Sequence, residues 1–149
     1  MREDVYNYLH AYGFSSIDLD EIEQRNENMF YTNVSEVRKN ITFLEEKYLD
    51  EEDIINIINE NPFMLTEKNN RLEAIDKIYS ELGFDYEALK QLIKNNPKAY
   101  TLSPIELNKI IDFLKSKNYN IDVIKKLIIQ NPKVISMKYD DFEKAIRIN

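Results

Sequence analysis

The stretch "LGFDYEALKQLIKNNP", residues 82–97, contains the signals that start and stop one α-helix. Gly83 suits the left-handed backbone conformation in which helices commonly end, so it predicts the end of a preceding helix. Asp85 is a residue type whose side chain accepts the free amides of a helix's first turn, and it predicts a new helix start. Pro97 disfavours helix for the residue before it, so the new helix should stop at Asn96.

These signals recur at an interval of 35 residues, and units that begin at residues 13, 48, 83 and 118 align without a gap. The first position holds Gly13, Tyr48, Gly83 and Asn118, and the third, an expected N-cap, holds Ser15, Asp50, Asp85 and Asn120. The fourteenth is always asparagine, at Asn26, Asn61, Asn96 and Asn131, and proline follows it in three of the four units. Tyr48 is the exception to the left-handed preference of the first position. A fixed period of this length is typical of stacked-repeat proteins.

Apolar residues between these signals are spaced as on one face of a helix. The first helix of each unit presents Leu19, Ile54, Leu89 and Ile124, and one turn later Ile22, Ile57, Leu92 and Leu127. The second presents Val37, Leu72, Leu107 and Phe142, followed by Phe43, Ile78, Phe113 and Ile148. Apolar pairs between the two helices, such as Met64-Leu65 and Val134-Ile135, predict a short 3₁₀ turn. Tyrosines at positions expected in the core include Tyr79, Tyr100 and Tyr119.

We therefore expect an all-α protein, a right-handed α-solenoid of 35-residue helix–3₁₀–helix repeats with about eight helices. It should form a single domain over residues 1–149. A partial unit at 1–12, in which Val5, Tyr8 and Leu9 end an earlier second helix, precedes full units at 13–47, 48–82 and 83–117. Residues 118–149 form a further partial unit.

The composition excludes several classes of site. The 149 residues include no cysteine, so disulfides and thiolate metal sites are excluded, and one histidine, His10, cannot form a histidine metal cluster. No glycine-rich phosphate loop or hydrolase motif occurs, and the acidic run Asp50–Asp53 fits a helix start better than a calcium loop. We expect no catalysis, no cofactor, no metal and no small-molecule substrate. Because no apolar run approaches a membrane span and no signal or transit peptide begins the chain, we expect a cytoplasmic protein.

The order Leu82-Gly83-Phe84-Asp85, then a helix, then Asn96-Pro97 resembles the repeat of the mitochondrial transcription termination factor (mTERF) family. That repeat has two α-helices and a short 3₁₀ helix, with LG(F/L)S before the first helix and P-x-(V/L)-L after it. The resemblance covers residues 5–149, is clearest in 48–138 and is weakest in 13–47. It implies a non-catalytic protein that binds double-stranded DNA or structured RNA along a basic face. The chain would be a short, acidic, non-organellar member.

Charge changes along the chain, from −5 in each of residues 1–30 and 31–66, through 0 in 67–101, to +3 in 102–149. Basic residues recur at matching positions of the later units, which in stacked repeats would form a strip. The candidate nucleic-acid contacts are Lys90, Lys94, Lys98, Lys125 and Lys133. The alternative is that these lysines only cover solvated helix faces and complement helix C-termini.

The acidic N-terminal third favours a different partner, a basic protein such as a nucleic-acid enzyme, which the chain would bind or inhibit. The candidate contacts are Asp18, Asp20, Glu21, Glu23 and Glu27. Here too, an ordinary solvated helix face is the alternative.

Overall fold

The computed structural model describes residues 2–131, and every regular element in this range is helical. The α-helices are α1 (Arg2–Tyr12), α2 (Ser16–Arg25), α3 (Val34–Glu45), α4 (Glu51–Glu60), α5 (Asn69–Leu82), α6 (Tyr86–Asn95), α7 (Pro104–Ser116) and α8 (Ile121–Gln130). Three 3₁₀ helices lie between them: η1 (Met29–Tyr31), η2 (Pro62–Leu65) and η3 (Pro97–Tyr100). The all-α prediction is confirmed. The predicted positions Val134-Ile135, Phe142 and Ile148 lie outside the described residues.

Helices α2, α4, α6 and α8 each contain ten residues, and each begins 35 residues after the one before it. Their starts are where the capping side chains predict them. The N-cap oxygens of Ser15, Asp50, Asp85 and Asn120 accept the backbone amides three residues later, at 3.0, 2.8, 2.9 and 2.9 Å. Each helix is followed by the expected asparagine, whose φ lies between −147° and −122° and takes the chain out of the helix.

A left-handed backbone occurs at the first position of all four units. Gly13 and Gly83 have φ of 138° and 113°, and Asn118 has φ of 63°. Tyr48, the exception by residue type, adopts φ of 58°. The backbone therefore needs a positive φ here whatever the side chain, because the preceding helix must end and the chain must turn into the next N-cap.

The chain divides by its internal contacts into two compact parts, which are distinct from the 35-residue units of the sequence. We call them unit 1 (Met1–Asn70) and unit 2 (Arg71–Asn149). The single solenoid domain expected from the sequence stays a prediction. None of the helices in residues 2–131 combines the length and apolar character needed to cross a membrane.

Unit 1 packs α1 against η1, α2 and α3, and η2 against α3 and α4. Its fully buried side chains include Leu9, Phe14, Leu19, Ile22, Phe30, Ile41, Leu44 and Ile54. The interior also holds one polar side chain with no solvent exposure, Asn40 of α3. Its amide nitrogen donates to the carbonyls of Met64, Leu65 and Glu67, at 3.1, 3.2 and 2.8 Å. This amide fastens the end of η2 to α3.

Two tyrosines at the centre of unit 2 hold η3 in place. Tyr79 and Tyr100 have no solvent exposure, and their ring centroids lie 5.6 Å apart. The Tyr79 hydroxyl donates to the Ala99 carbonyl at 2.9 Å, and the Tyr100 hydroxyl donates to Asp76 Oδ1 at 2.7 Å. Helix α5 is thereby fastened to η3 by two hydrogen bonds from buried phenols.

Four positions of the expected core are less buried than predicted. Tyr119 was expected inside but is 36% exposed, and Tyr8, Leu127 and Ile78 are only half-buried. Tyr119 lies just before Asn120, the N-cap of α8, and Leu127 lies within that helix. Ile78 follows the helical spacing but falls at the edge of the buried stripe of α5, whose centre is Leu72, Ile75 and Tyr79.

Candidate interaction surfaces

The boundary between the two units is also a boundary in charge. Unit 1 contains 6 basic and 16 acidic residues, a net charge of −10, whereas unit 2 contains 14 basic and 11 acidic residues, a net charge of +3. Surfaces of opposite sign attract different partners. Each unit is therefore a separate candidate for binding.

Helix α6 and the 3₁₀ helix η3 that follows it in unit 2 carry three of the candidate lysines in succession. Lys90 and Lys94 are four residues apart in α6, which places them on one face of the helix, and Lys98 follows in η3. Lys94 and Lys98 are exposed and Lys90 is half-buried. Lys94 occupies the last turn of α6, where a positive charge also complements the helix dipole. Lys90, in the middle of the helix, gains little from that effect.

Lys125 belongs to α8, which packs against α6. Its side chain runs over the turn at Gly83, with Cε 3.8 Å from the place where a Cβ on that glycine would lie. A lysine can bury its aliphatic stem in this way while its ammonium stays in water. The structure therefore places Lys125 on the helix next to the one that carries Lys90 and Lys94. Lys133, the fifth candidate, lies outside the described residues.

The sequence analysis did not identify one basic residue that lies next to Lys125. Lys126 is exposed beside Lys125, and both line an open pocket of about 460 Å³ with Asp122, Ile129 and Gln130. The position equivalent to Lys126 in the preceding unit is Gln91, so a search for lysines that recur at matching positions could not find it.

The acidic candidates lie on and just after α2 in unit 1. Asp20, Glu21 and Glu27 are exposed, whereas Asp18 and Glu23 are half-buried. Asp18 has a structural role, because its Oδ2 accepts the Ser15 amide at 3.4 Å while its own amide donates to Ser15 Oγ at 3.0 Å. This reciprocal pair is a capping box. The solvent-facing part of the predicted acidic surface is therefore Asp20, Glu21 and Glu27.

Two exposed aromatic side chains in unit 1 were also missed. Tyr31 in η1 is 68% exposed and Phe63 in η2 is 51% exposed. The sequence does contain a signal for their exposure. The positions equivalent to Tyr31 hold Thr66 and Thr101, and those equivalent to Phe63 hold Asn28 and Lys98. A large apolar residue at a position that is polar in the other units does not belong to the shared core.

A polar groove of about 590 Å³ also lies in unit 1, lined by Thr32, Glu36, Lys39 and residues 66–70. Lys39 Nζ pairs with Glu36 Oε1 at 3.3 Å across its wall. Within residues 2–131, no three histidine, cysteine or acidic side chains group in a way that could hold a metal ion.

Comparisons with the models of known protein families and with curated protein sequences give no match for this chain.

Proposed function

We propose that this protein is a non-catalytic helical-repeat protein that binds nucleic acid, and that lysines of unit 2 contact the phosphates of double-stranded DNA or structured RNA. The observation that carries the proposal is the succession of Lys90, Lys94 and Lys98 along α6 and η3, with Lys125 on the helix packed beside them. Neutralising phosphates is the main source of affinity for nucleic acids.

A right-handed α-solenoid of mTERF-like repeats is part of this proposal. The interval of 35 residues between the starts of α2, α4, α6 and α8 supports it. So does a close approach at Gly13 in unit 1 and at Gly83 in unit 2, in each case to a residue at the same separation along the chain. A Cβ on Gly13 would collide with the carboxylate of Glu51, and a Cβ on Gly83 would lie 3.0 Å from Ile121 Cγ2. In a stacked repeat, such a close approach joins one unit of the repeat to the next.

The test compares two quadruple variants of the full chain by fluorescence anisotropy with labelled duplex DNA, single-stranded DNA and RNA. The first variant changes Lys90, Lys94, Lys98 and Lys125 to Glu. The matched control changes Lys77, Lys109, Lys115 and Lys117, which are exposed elsewhere in unit 2, to Glu. Both carry the same net charge, and circular dichroism checks that both are folded. The proposal expects binding to be lost in the first variant and only weakened in the control.

A second candidate function, specific to unit 1, is the binding of a basic protein. The observation that favours it is the net charge of −10 within Met1–Asn70, with Asp20, Glu21 and Glu27 exposed. Such a surface steers positively charged partners and raises their association rate at low salt. The test measures binding of a lysine-rich synthetic peptide. Changing Asp20, Glu21 and Glu27 to Lys should abolish binding, and the same change at the exposed Glu3, Glu45 and Glu46 should weaken it much less.

A further inference from the structure

The 3₁₀ helices η1 and η2 of unit 1 pack against one another and expose one large aromatic side chain each. We name Tyr31 and Phe63, the exposed side chains of these two helices, the aromatic edge. Exposed aromatic side chains on an otherwise polar surface are characteristic of binding sites, because they supply most of the energy of an interface.

The aromatic edge is held by the core beneath it. Met29 and Phe30 of η1 and Met64 and Leu65 of η2 are buried with at most 1% exposure, and Tyr31 and Phe63 are the side chains of these short helices that face solvent. The Asn26 amide also donates to the Pro62 carbonyl at 3.4 Å and to Thr66 Oγ1 at 3.0 Å, which ties the end of α2 to η2. A rigid aromatic side chain loses little entropy when a partner covers it.

Two exposed carboxylates shortly precede the two aromatic residues in the chain. Glu27 lies four residues before Tyr31, Glu60 lies three before Phe63, and both are exposed. The Arg25 guanidinium is held at the end of α4, where it donates to the carbonyl of Asn59 and, at 2.7 Å, to that of Glu60. An aromatic face next to carboxylates attracts ammonium and guanidinium groups, which interact with both the ring and the charge.

We infer that the aromatic edge binds a basic protein segment in which lysine or arginine alternates with apolar side chains. The cation would lie over the Tyr31 ring, attracted also by the negative charge of unit 1, and an apolar side chain would cover Phe63. The inference rests on the proposed binding of a basic protein by unit 1, and it names the place and the chemistry of the contact.

The experiment titrates the full chain against two labelled synthetic peptides of equal charge, one alternating lysine with leucine and the other lysine with serine. Three proteins are compared: the wild type, a variant with Tyr31→Ser and Phe63→Ser, and a control with Ile17→Ser and Tyr48→Gly. The control removes one aliphatic and one aromatic side chain that are 72% and 77% exposed in the same unit.

We expect the wild type and the control to bind the lysine–leucine peptide more tightly than the lysine–serine peptide. The Tyr31→Ser, Phe63→Ser variant should lose about tenfold or more in affinity for the first peptide, as the removal of an interface hot spot does, and little for the second. Equal affinity of this variant and the wild type for the lysine–leucine peptide would overturn the inference while leaving the acidic surface as the binding site. If neither peptide binds the wild type, the proposed partner of unit 1 fails as well. A dimer in sedimentation velocity that requires Tyr31 and Phe63 would assign the edge to a second copy of the chain and overturn the inference.

Discussion

The hydroxyl of Tyr100 donates a hydrogen bond of 2.7 Å to Oδ1 of Asp76, and it joins η3 to α5 inside unit 2. Tyr100 is fully buried, while Asp76 is half-buried at a position where the other units place Tyr6, Ile41 and Ile111. The Asp76 carboxylate therefore occupies a position that is apolar or aromatic in the other 35-residue units, and it accepts a hydrogen bond from the buried phenol of Tyr100. Since η3 also carries Lys98, this bond helps to fix one end of the proposed basic surface.

The change Tyr100→Phe should destabilise the protein by about 1.5–3 kcal/mol, because a hydrogen bond to a charged acceptor is lost while the ring remains. Urea unfolding followed by circular dichroism measures the difference. Tyr119→Phe, at a tyrosine that is 36% exposed, is the control and should change the free energy of unfolding by under about 0.5 kcal/mol. Equal effects of the two changes would show that the Tyr100 hydroxyl contributes nothing.

Stability should fall in alkaline solution. Burial raises the pKa of Tyr79, and burial together with the Asp76 carboxylate raises the pKa of Tyr100, both from the ordinary value of 10.0. A raised pKa in the folded state means that stability is complete below pH 10 and is lost as the pH rises above it, because only the unfolded chain releases these protons. The slope is about 1.4 kcal/mol per pH unit for each tyrosine.

Urea unfolding from about pH 8 to about pH 11 measures this dependence. Burial also raises the pKa of Tyr12 to about 12, and the carboxylates of Glu45 and Glu51 add to the effect. Because Tyr12 therefore contributes to the alkaline loss of stability as well, the effect of Tyr79 is the difference between the wild type and the Tyr79→Phe variant. Tyr79→Phe should lower stability at pH 8 and also make the alkaline fall shallower than in the wild type. Parallel curves for the two proteins would contradict the role of burial.

Replacing Tyr48 with glycine should stabilise the protein by about 1 kcal/mol, because a left-handed backbone costs a residue with a Cβ roughly 1–2 kcal/mol and glycine's greater freedom in the unfolded chain offsets part of that gain. Tyr48 is 77% exposed, so little burial is lost. The comparison is Tyr86→Gly, at an exposed tyrosine in the first turn of α6, which should destabilise. A loss of stability at both positions would mean that the side chain of Tyr48 contributes more than its backbone strain costs.

Asn40→Ile should destabilise the protein by about 1–3 kcal/mol, although the other units have Val5, Ile75 and Ile110 at this position. The change removes the donor that serves the carbonyls of Met64, Leu65 and Glu67, and it leaves buried acceptors without that hydrogen bond. Ile75→Val, a small apolar truncation at the equivalent position, is the comparison. A neutral or stabilising Asn40→Ile would show that packing rather than hydrogen bonding determines the residue here.

Sequence reasoning worked where the physical cause is local. The N-caps at Ser15, Asp50, Asp85 and Asn120, the asparagine stops and the positive φ at Gly13 and Gly83 depend on a few neighbouring residues, and all were predictable. Helical spacing also predicted most of the apolar positions that share a face. Tyr48 has the same positive φ as Gly13, Gly83 and Asn118, although its side chain disfavours that conformation.

Contacts between residues far apart in the chain could not be predicted in this way. The bonds from Asn40 to η2, from Tyr100 to Asp76 and from Arg25 to the end of α4 join residues 24 to 35 positions apart. They depend on which side chains meet when the helices pack, and each departs from the residue types at equivalent positions. The exposure of Tyr31 and Phe63 was missed for a different reason, since a search for recurring residues overlooks positions where one unit differs.

The most direct test of the proposed function is the salt dependence of duplex DNA binding, measured by fluorescence anisotropy over a series of salt concentrations. If four lysines contact phosphates, the logarithm of the affinity should fall with the logarithm of the salt concentration with a slope of about −3.6, and Lys94→Gln should reduce the size of that slope by about 0.9. The slope should stay unchanged in Lys115→Gln, which alters an exposed lysine of α7. No binding at the lowest salt concentration, or the same slope in all three proteins, would contradict the assignment of the unit 2 lysines to nucleic acid.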